Sequence, residues 1–365
     1  MPDSLTQSAT SADTLLIQPA GDGHKAELAQ KALFEAELVT YMQDFKKACM
    51  SRLPSGEHPL HAAAAHHFAE PGKMLRARMA IASALLTRPT SSLGADILLD
   101  ATLDWALAVE FLHNASLVHD DLCDDDRTRR GRASVWAEFG RDTALALGDW
   151  LIAESFAAAA RAGMKGNCPE LAGVLAGHMS RTTTGQAMEF EKTSYPDWLR
   201  YLEISSGKTA PLFIAPVEGV ARLAGQDAFL HPLTLFFNAA GTCYQIANDI
   251  QNILGTDGAQ SPASDLLRRA PNAVIVQFIS LLTLKEADRF RAWLDAPLDN
   301  RDEASYWQTQ IAKSSALSKT AGQMMKMLDT AEEWSARMPA EMLLVLGPIE
   351  QQLKKTCQQI FKHCG

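Results

Sequence analysis

The chain has 365 residues, of which 47% are hydrophobic and 21% charged: long enough for a large core and too apolar to stay unfolded. Its 34 basic and 43 acidic residues leave a net charge of −9, which excludes a general nucleic-acid footprint. No apolar run reaches membrane-spanning length, and six scattered cysteines without metal-type spacing read as reduced thiols of a cytoplasmic protein.

In chain order, residues 1–25 are rich in Ser, Thr, Asp, Gly and Pro and predict a disordered leader with neither secretory nor transit character. Residues 26–365 read as one all-α domain, because Ala, Leu, Met, Glu, Gln and Arg dominate and apolar residues recur at three and four. The periodicity predicts helices over 26–52, 74–90, 96–122, 133–164, 169–190, 197–222, 227–254, 271–295, 303–335 and 340–362, with Pro and Gly breakers between them. Segments such as Ala101 to Leu117 and Leu145 to Ala160 are apolar over much of their circumference and belong inside a large bundle. The last helices, from residue 300 onward, carry no chemical motif and read as packing elements.

Residues 119 to 131 are the informative run: His-Asp-Asp-Leu-Cys-Asp-Asp-Asp-Arg-Thr-Arg-Arg-Gly. On a helix Asp120 and Asp124 fall on one face, a turn apart. Like charges so placed repel unless a cation lies between them, and hard oxygen ligands suit Mg²⁺, which shares its shell with substrate phosphates. Arg129 and Arg130 follow, and guanidinium forks match phosphate oxygens. The run therefore implies a diphosphate substrate. A second set of oxygen donors, Asn248, Asp249 and Asn252, closes the apolar helix ending near residue 254, and a bundle can face it against the first across a central cavity. Plainer readings stand beside these. Acidic-to-basic runs are commonly solvated helix ends, and Lys73 with Arg76 would make an ordinary basic helix start. His113 would be a satisfied core histidine, Lys208-Thr209 a helix kink, and Gln245 a buried amide.

Five blocks occur in order: Gly72-Lys73-Met74-Leu75-Arg76, His113 through Gly131, Gly185-Gln186 with Glu189, Gly207-Lys208-Thr209-Ala210, and Gln245 through Asn252. In these blocks, over roughly residues 65 to 285, the chain resembles the trans-isoprenyl diphosphate synthases, the geranylgeranyl diphosphate synthases among them. The resemblance implies a single helical bundle of the isoprenoid synthase type around a central active-site cavity, two or three Mg²⁺ ions and a homodimer. It also implies condensation of isopentenyl diphosphate with an allylic diphosphate. Residue by residue, it makes Lys73, Arg76 and His113 the isopentenyl diphosphate clamp, with Arg130 assisting. Asp120 and Asp124 become the first Mg²⁺ ligands, supported by Asp121. Arg129, Lys208, Thr209 and Gln245 become allylic diphosphate contacts, and Asp249, with Asn248, the ligands of a further ion.

The second motif departs from the family's usual three aspartates, since only Asp249 remains. Amides keep neutral oxygen donors but lower the charge, which predicts weaker metal affinity there before substrate binds. The lysines that normally follow are missing, and Arg269 is the expected replacement for one. Ala115 and Ser116, five and four residues before Asp120, are small where the family uses an aromatic to stop growth at farnesyl. They predict a deeper tunnel with Phe111 and Leu112 as its floor, and geranylgeranyl diphosphate as product. Two rivals remain: a terpene cyclase or atypical prenyltransferase on the same scaffold, suggested by the asparagine-led second motif, and a non-catalytic partner subunit of a heteromeric synthase. The intact Lys73, Arg76 and His113 argue against the first, and the complete first acidic motif against the second.

Overall fold

A computed structural model describes residues 21–70, 72–191, 194–256, 263–296 and 301–364. Most of the expected leader, residues 1–20, lies outside the described residues, as does much of the loop expected after Gly255. Sixteen α-helices are described: α1 (Gly21–Ser51), α2 (His61–Phe68), α3 (Leu75–Thr87), α4 (Ala95–Cys123), α5 (Val135–Phe139), α6 (Arg141–Lys165), α7 (Leu171–Glu189), α8 (Trp198–Thr209), α9 (Pro211–Ala224), α10 (Leu230–Leu254), α11 (Ser264–Arg268), α12 (Ala273–Ile279), α13 (Leu284–Leu294), α14 (Arg301–Lys313), α15 (Ala316–Ser335) and α16 (Leu343–Cys364). Among the described residues the only strands are β1 (Thr128–Arg129) and β2 (Arg132–Ala133), an antiparallel hairpin. The all-α expectation holds.

Two long helices form the axis. α4 runs along α6 and packs against α3 and α9. It buries side chains all round, from Leu98 and Trp105 through Phe111 and Val118, as its near-continuous apolar sequence requires. α10 runs along α15 and also meets α8, α9, α12 and α16. One apolar core joins these layers. Close approach is bought with small residues. A Cβ on Gly219 of α9 would come within 2.0 Å of the Trp105 ring, whose Nε1 donates to the carbonyls of Ala215 and Pro216 at 3.2 Å.

Several expected helices are broken. The 133–164 stretch divides at Gly140, whose φ of +90° only glycine adopts freely. The 197–222 stretch divides before Pro211, which opens α9 where its missing N–H costs nothing. The 271–295 stretch restarts at Thr283, which caps α13 reciprocally with Glu286, and 303–335 divides between Lys313 and Ala316. Helix α2 had no predicted counterpart. No helix among the described residues is long and apolar enough to cross a membrane, and all six cysteines are unbridged.

Candidate active site

α4 ends at the acidic run. Asp124 caps it, its N–H donating to the Asp120 carbonyl at 2.8 Å, so the two carboxylates stand a turn apart at the negative end of the helix. The partly buried Asp120 carboxylate has neither hydrogen bond nor ion pair among the described residues. Burial raises its pKa to about 6, Lys208 pulls it back, and Asp124 adds to the rise. Asp121 faces another way. It is 2% exposed and grips Arg129, whose Nε donates to both carboxylate oxygens at 2.7 and 2.8 Å. Asp121 thus positions an arginine.

Beside it lies a cationic pocket. The β1–β2 hairpin turns at Arg130-Gly131 with φ of +53° and +77°, the two positive values that a tight hairpin turn requires. The turn throws the Arg130 guanidinium back over Gly72, where a Cβ would lie 2.9 Å from its Cζ, and Arg130 Nη1 donates to the Glu70 carbonyl. Arg76 is set by a gap in α9. Pro216 has no N–H to give the Leu212 carbonyl, and Arg76 Nε donates to that oxygen at 3.1 Å while its guanidinium sits 4.5 Å from the centre of the Phe213 ring. Burial lowers Arg76 only to about 10, so it stays charged. Burial and the charges of Arg76, Arg130 and Arg129 hold His113 well below the ordinary imidazole range, hence neutral. Lys73 is exposed and makes no ion pair among the described residues. Three arginines around a neutral histidine make a site for an anion.

α7 crosses α8 at Gly185 and Gly207. A Cβ on Gly185 would lie 2.4 Å from Lys208 N, so glycine is what permits the crossing. The contact brings Lys208 Nζ to Glu189 at 2.7 Å. Burial disfavours the Lys208 ammonium, but Glu189, Asp120 and Asp124 outweigh it and raise its pKa. Thr209 closes α8 and packs against Gly241 of α10. A cavity of ≈ 620 Å³ lies behind this crossing, lined by Arg181, Gly185, Gly207, Glu218 and Asn238 among others. No residue of the acidic pair lines it, so it is not the reaction site.

α10 differs from expectation. Asp249 is 2% exposed and accepts from Gln245 Nε2 at 2.9 Å, Tyr201 O–H at 2.7 Å and the Ala273 N–H at 2.7 Å. Two of these donors share Oδ2, and Gln245 alone holds Oδ1. Burial raises the Asp249 pKa to about 7, with Asp265 adding to the rise and the three donors opposing it. Asn252 is also structural: its amide donates to Ser264 Oγ at 2.7 Å and accepts from the Asp265 N–H at 3.2 Å. The accessible stripe of α10 is Tyr244, Asn248 and Gln251, spaced by four and three, and only Asn248 among these was anticipated as a ligand. Arg269 takes a left-handed conformation after α11 and stacks on Trp293 at 3.3 Å from its ring centre. The arginine that reaches the acidic pair is its neighbour Arg268, 3.3 Å from Asp124. Tyr201 and Arg268 gave no sequence signal for the site, since Asp249 and Asp124, which they meet there, belong to other helices.

Of the expected chain-length residues, Ala115, Phe111 and Leu112 are buried, and the half-buried Ser116 donates to the His113 carbonyl at 2.8 Å. Phe111 packs on Phe68 and Trp150, ring centres 5.9 and 6.3 Å apart.

Mg²⁺ suits Asp120 and Asp124: a partnerless carboxylate of raised pKa beside a second acid is stabilised by a divalent cation. Among the described residues no three carboxylate, imidazole or thiol groups converge on one point. Asp249 is committed to three donors, and only its Oδ1, with a single donor, keeps an open acceptor position.

Residues 57–310 match the polyprenyl synthetase family. The chain belongs to that family. Its members are trans-prenyl diphosphate synthases, and relatives with different products are about equally similar. A geranylgeranyl diphosphate synthase of Mycobacterium tuberculosis is 30% identical over 69% of this chain and 69% of its own. A nonaprenyl diphosphate synthase of the same organism is 27% identical over 65% and 68%. The fold of a geranylgeranyl pyrophosphate synthase from Lactobacillus brevis covers 91% of this chain and 99% of its own with a TM-score of 0.73, at 20% identity.

Proposed function

We propose that this polyprenyl synthetase joins isopentenyl diphosphate to an allylic diphosphate by Mg²⁺-dependent trans elongation, with geranylgeranyl diphosphate as product. The observation that carries the reading is two separate cationic groups along α4: Lys208 acting on the partnerless Asp120, and Arg76 and Arg130 acting on the neutral His113 about two turns earlier. One diphosphate needs one such group; two substrates need both. A cyclase acting on a single diphosphate has no use for the second, which disfavours that rival.

Mg²⁺ held by Asp120 and Asp124 would neutralise the departing diphosphate. Lys208, and Arg129 held by Asp121, add fixed positive charge, while Arg76, Arg130 and Lys73 hold the isopentenyl diphosphate. The allylic carbon–oxygen bond breaks with its electron pair going to the diphosphate. The double bond of isopentenyl diphosphate supplies the pair for the new carbon–carbon bond, and the resulting cation loses a proton to the diphosphate. The apolar walls of α4 keep out water that would quench the cation. Thr209 and Gln245 border this site, Gln245 through its hold on Asp249. Ala115 and Ser116, with Phe111 and Leu112 beyond, set the room for the growing tail. The same reading has the enzyme acting as a cytoplasmic homodimer.

The test is mass spectrometry of products from isopentenyl diphosphate with each allylic primer, with and without Mg²⁺. The expected result is a twenty-carbon diphosphate from every shorter primer, none after chelation, and a shorter product from Ala115→Phe. A product ending at farnesyl that Ala115→Phe leaves unchanged sinks the chain-length reading. Hydrocarbon released from geranylgeranyl diphosphate alone favours the cyclase, and turnover only with an added partner favours the non-catalytic subunit.

A further inference from the structure

Two thiols that take no part in the steps above lie against each other. Cys243 of α10 and Cys357 of α16 are fully buried, their sulfurs 3.3 Å apart, and no disulfide joins them. The Cys243 hydrogen goes to the Met324 carbonyl of α15 at 3.4 Å, so the hydrogen between the two sulfurs belongs to Cys357. A disulfide is about 2.05 Å long, which leaves about 1.3 Å to close. The helix free to close it is α16. α10 packs against α8, α9, α12 and α15, whereas the second half of α16 buries only Leu353, Cys357 and Ile360 and exposes Lys354, Lys355, Gln358 and Gln359 between them. A peripheral helix held by one such stripe opens locally at lower free energy than the core does, and that opening admits a small oxidant.

The two sulfurs are also unlike the other thiols. Once Cys357 ionises, the Cys243 hydrogen turns to it and holds Cys357 below the ordinary thiol range, against the effect of burial. The same contact and burial push Cys243 up. Burial takes Cys49 and Cys168 to about 12 and raises Cys123 and Cys364 as well. The thiolate is the nucleophile, so Cys357 reacts first.

We propose that Cys243 and Cys357 form a redox modification site, at which a small peroxide makes a disulfide that staples the C-terminal helix to α10. The Cys357 thiolate attacks one peroxide oxygen. The O–O bond breaks, the sulfur becomes a sulfenic acid, and the departing hydroxide takes up the proton that Cys357 released. The Cys243 sulfur then displaces the sulfenic oxygen, which leaves as water with the Cys243 proton. Two thiols are oxidised and one peroxide is reduced to two waters. The bridge joins residues 114 apart in the chain, and closing a loop of that length constrains the unfolded state strongly.

The experiment treats the whole protein with hydrogen peroxide and reads free thiols in denaturant, disulfide-linked peptides by mass spectrometry without reduction, and the melting temperature before and after dithiothreitol. The expected result is a loss of two thiols, a linked peptide pair carrying Cys243 and Cys357, and a melting temperature raised by about 5 °C that dithiothreitol reverses. Cys243→Ser and Cys357→Ser should each abolish the linked pair and the rise. Should either serine variant fold poorly, the linked pair in the wild type and its reversal decide alone. Thiols lost at Cys123 or Cys364 with Cys243 and Cys357 still reduced overturn the proposal, and a linked pair that leaves the melting temperature unchanged overturns the staple.

Discussion

At Asp120 the protein holds a carboxylate in a state that costs free energy unless a cation arrives. Its pKa is raised to about 6 by burial, with Asp124 a turn away adding to the rise. Protons and divalent ions compete for such a group, so metal affinity falls as pH drops through about 6. Mg²⁺ titrations of activity at pH 7.5 and at pH 5.5, values chosen about one pH unit or more either side of the wild-type midpoint, are expected to show the weaker affinity at the acid value. Saturating metal should move the acid limb further down. Asp120→Asn is expected to lower kcat/KM by about 10²- to 10³-fold, as losing a transition-state charge contact does elsewhere, and to flatten that pH dependence. The neighbouring acids were legible only in part. Spacing alone put Asp120 and Asp124 on one helical face. It could not reveal that Asp121 is spent on Arg129, or that Asp249 is spent on Tyr201, Gln245 and Ala273, because Tyr201 and Ala273 arrive from α8 and α12.

Among the elements, α9 shows local sequence deciding a distant contact. Pro216 leaves the Leu212 carbonyl without its helical donor, and Arg76 of α3 takes the place. Pro216→Ala restores the N–H and sets up a competition for that oxygen. The expected outcome is an unchanged or higher melting temperature together with a KM for isopentenyl diphosphate raised about three- to tenfold, the scale of one modest hydrogen bond. Steady-state kinetics against thermal unfolding separates the two effects. Helix ends followed the same logic. The Gly140 and Pro211 breaks carry sequence signals, but apolar periodicity on both sides made single helices of 133–164 and 197–222. α2 was missed because eight residues hold too few turns for a period to show. The choice between Arg268 and Arg269 also belongs here. The left-handed turn after α11 sends one to Asp124 and the other to Trp293.

For the whole molecule, α15 and α16 pack against α10. Cys243 of α10 lies 3.3 Å from Cys357 of α16, and its thiol donates to the Met324 carbonyl of α15 at 3.4 Å. Leu346 of α16 is fully buried, and Leu346→Ala is expected to cost about 2–5 kcal/mol in denaturant unfolding while leaving product length unchanged; an altered product would show that the C-terminal helices reach the reaction. The sequence by itself determined the helical class, the order of the five blocks, the family and the metal-ready face of α4, because each depends on composition or on spacing within one helix. Only the tertiary structure decided which polar residues of α10 stay free, which arginine meets Asp124 and how Arg76 is aimed. Those outcomes depend on donors and acceptors brought together from helices far apart in the chain, and such pairings leave no periodic trace along it.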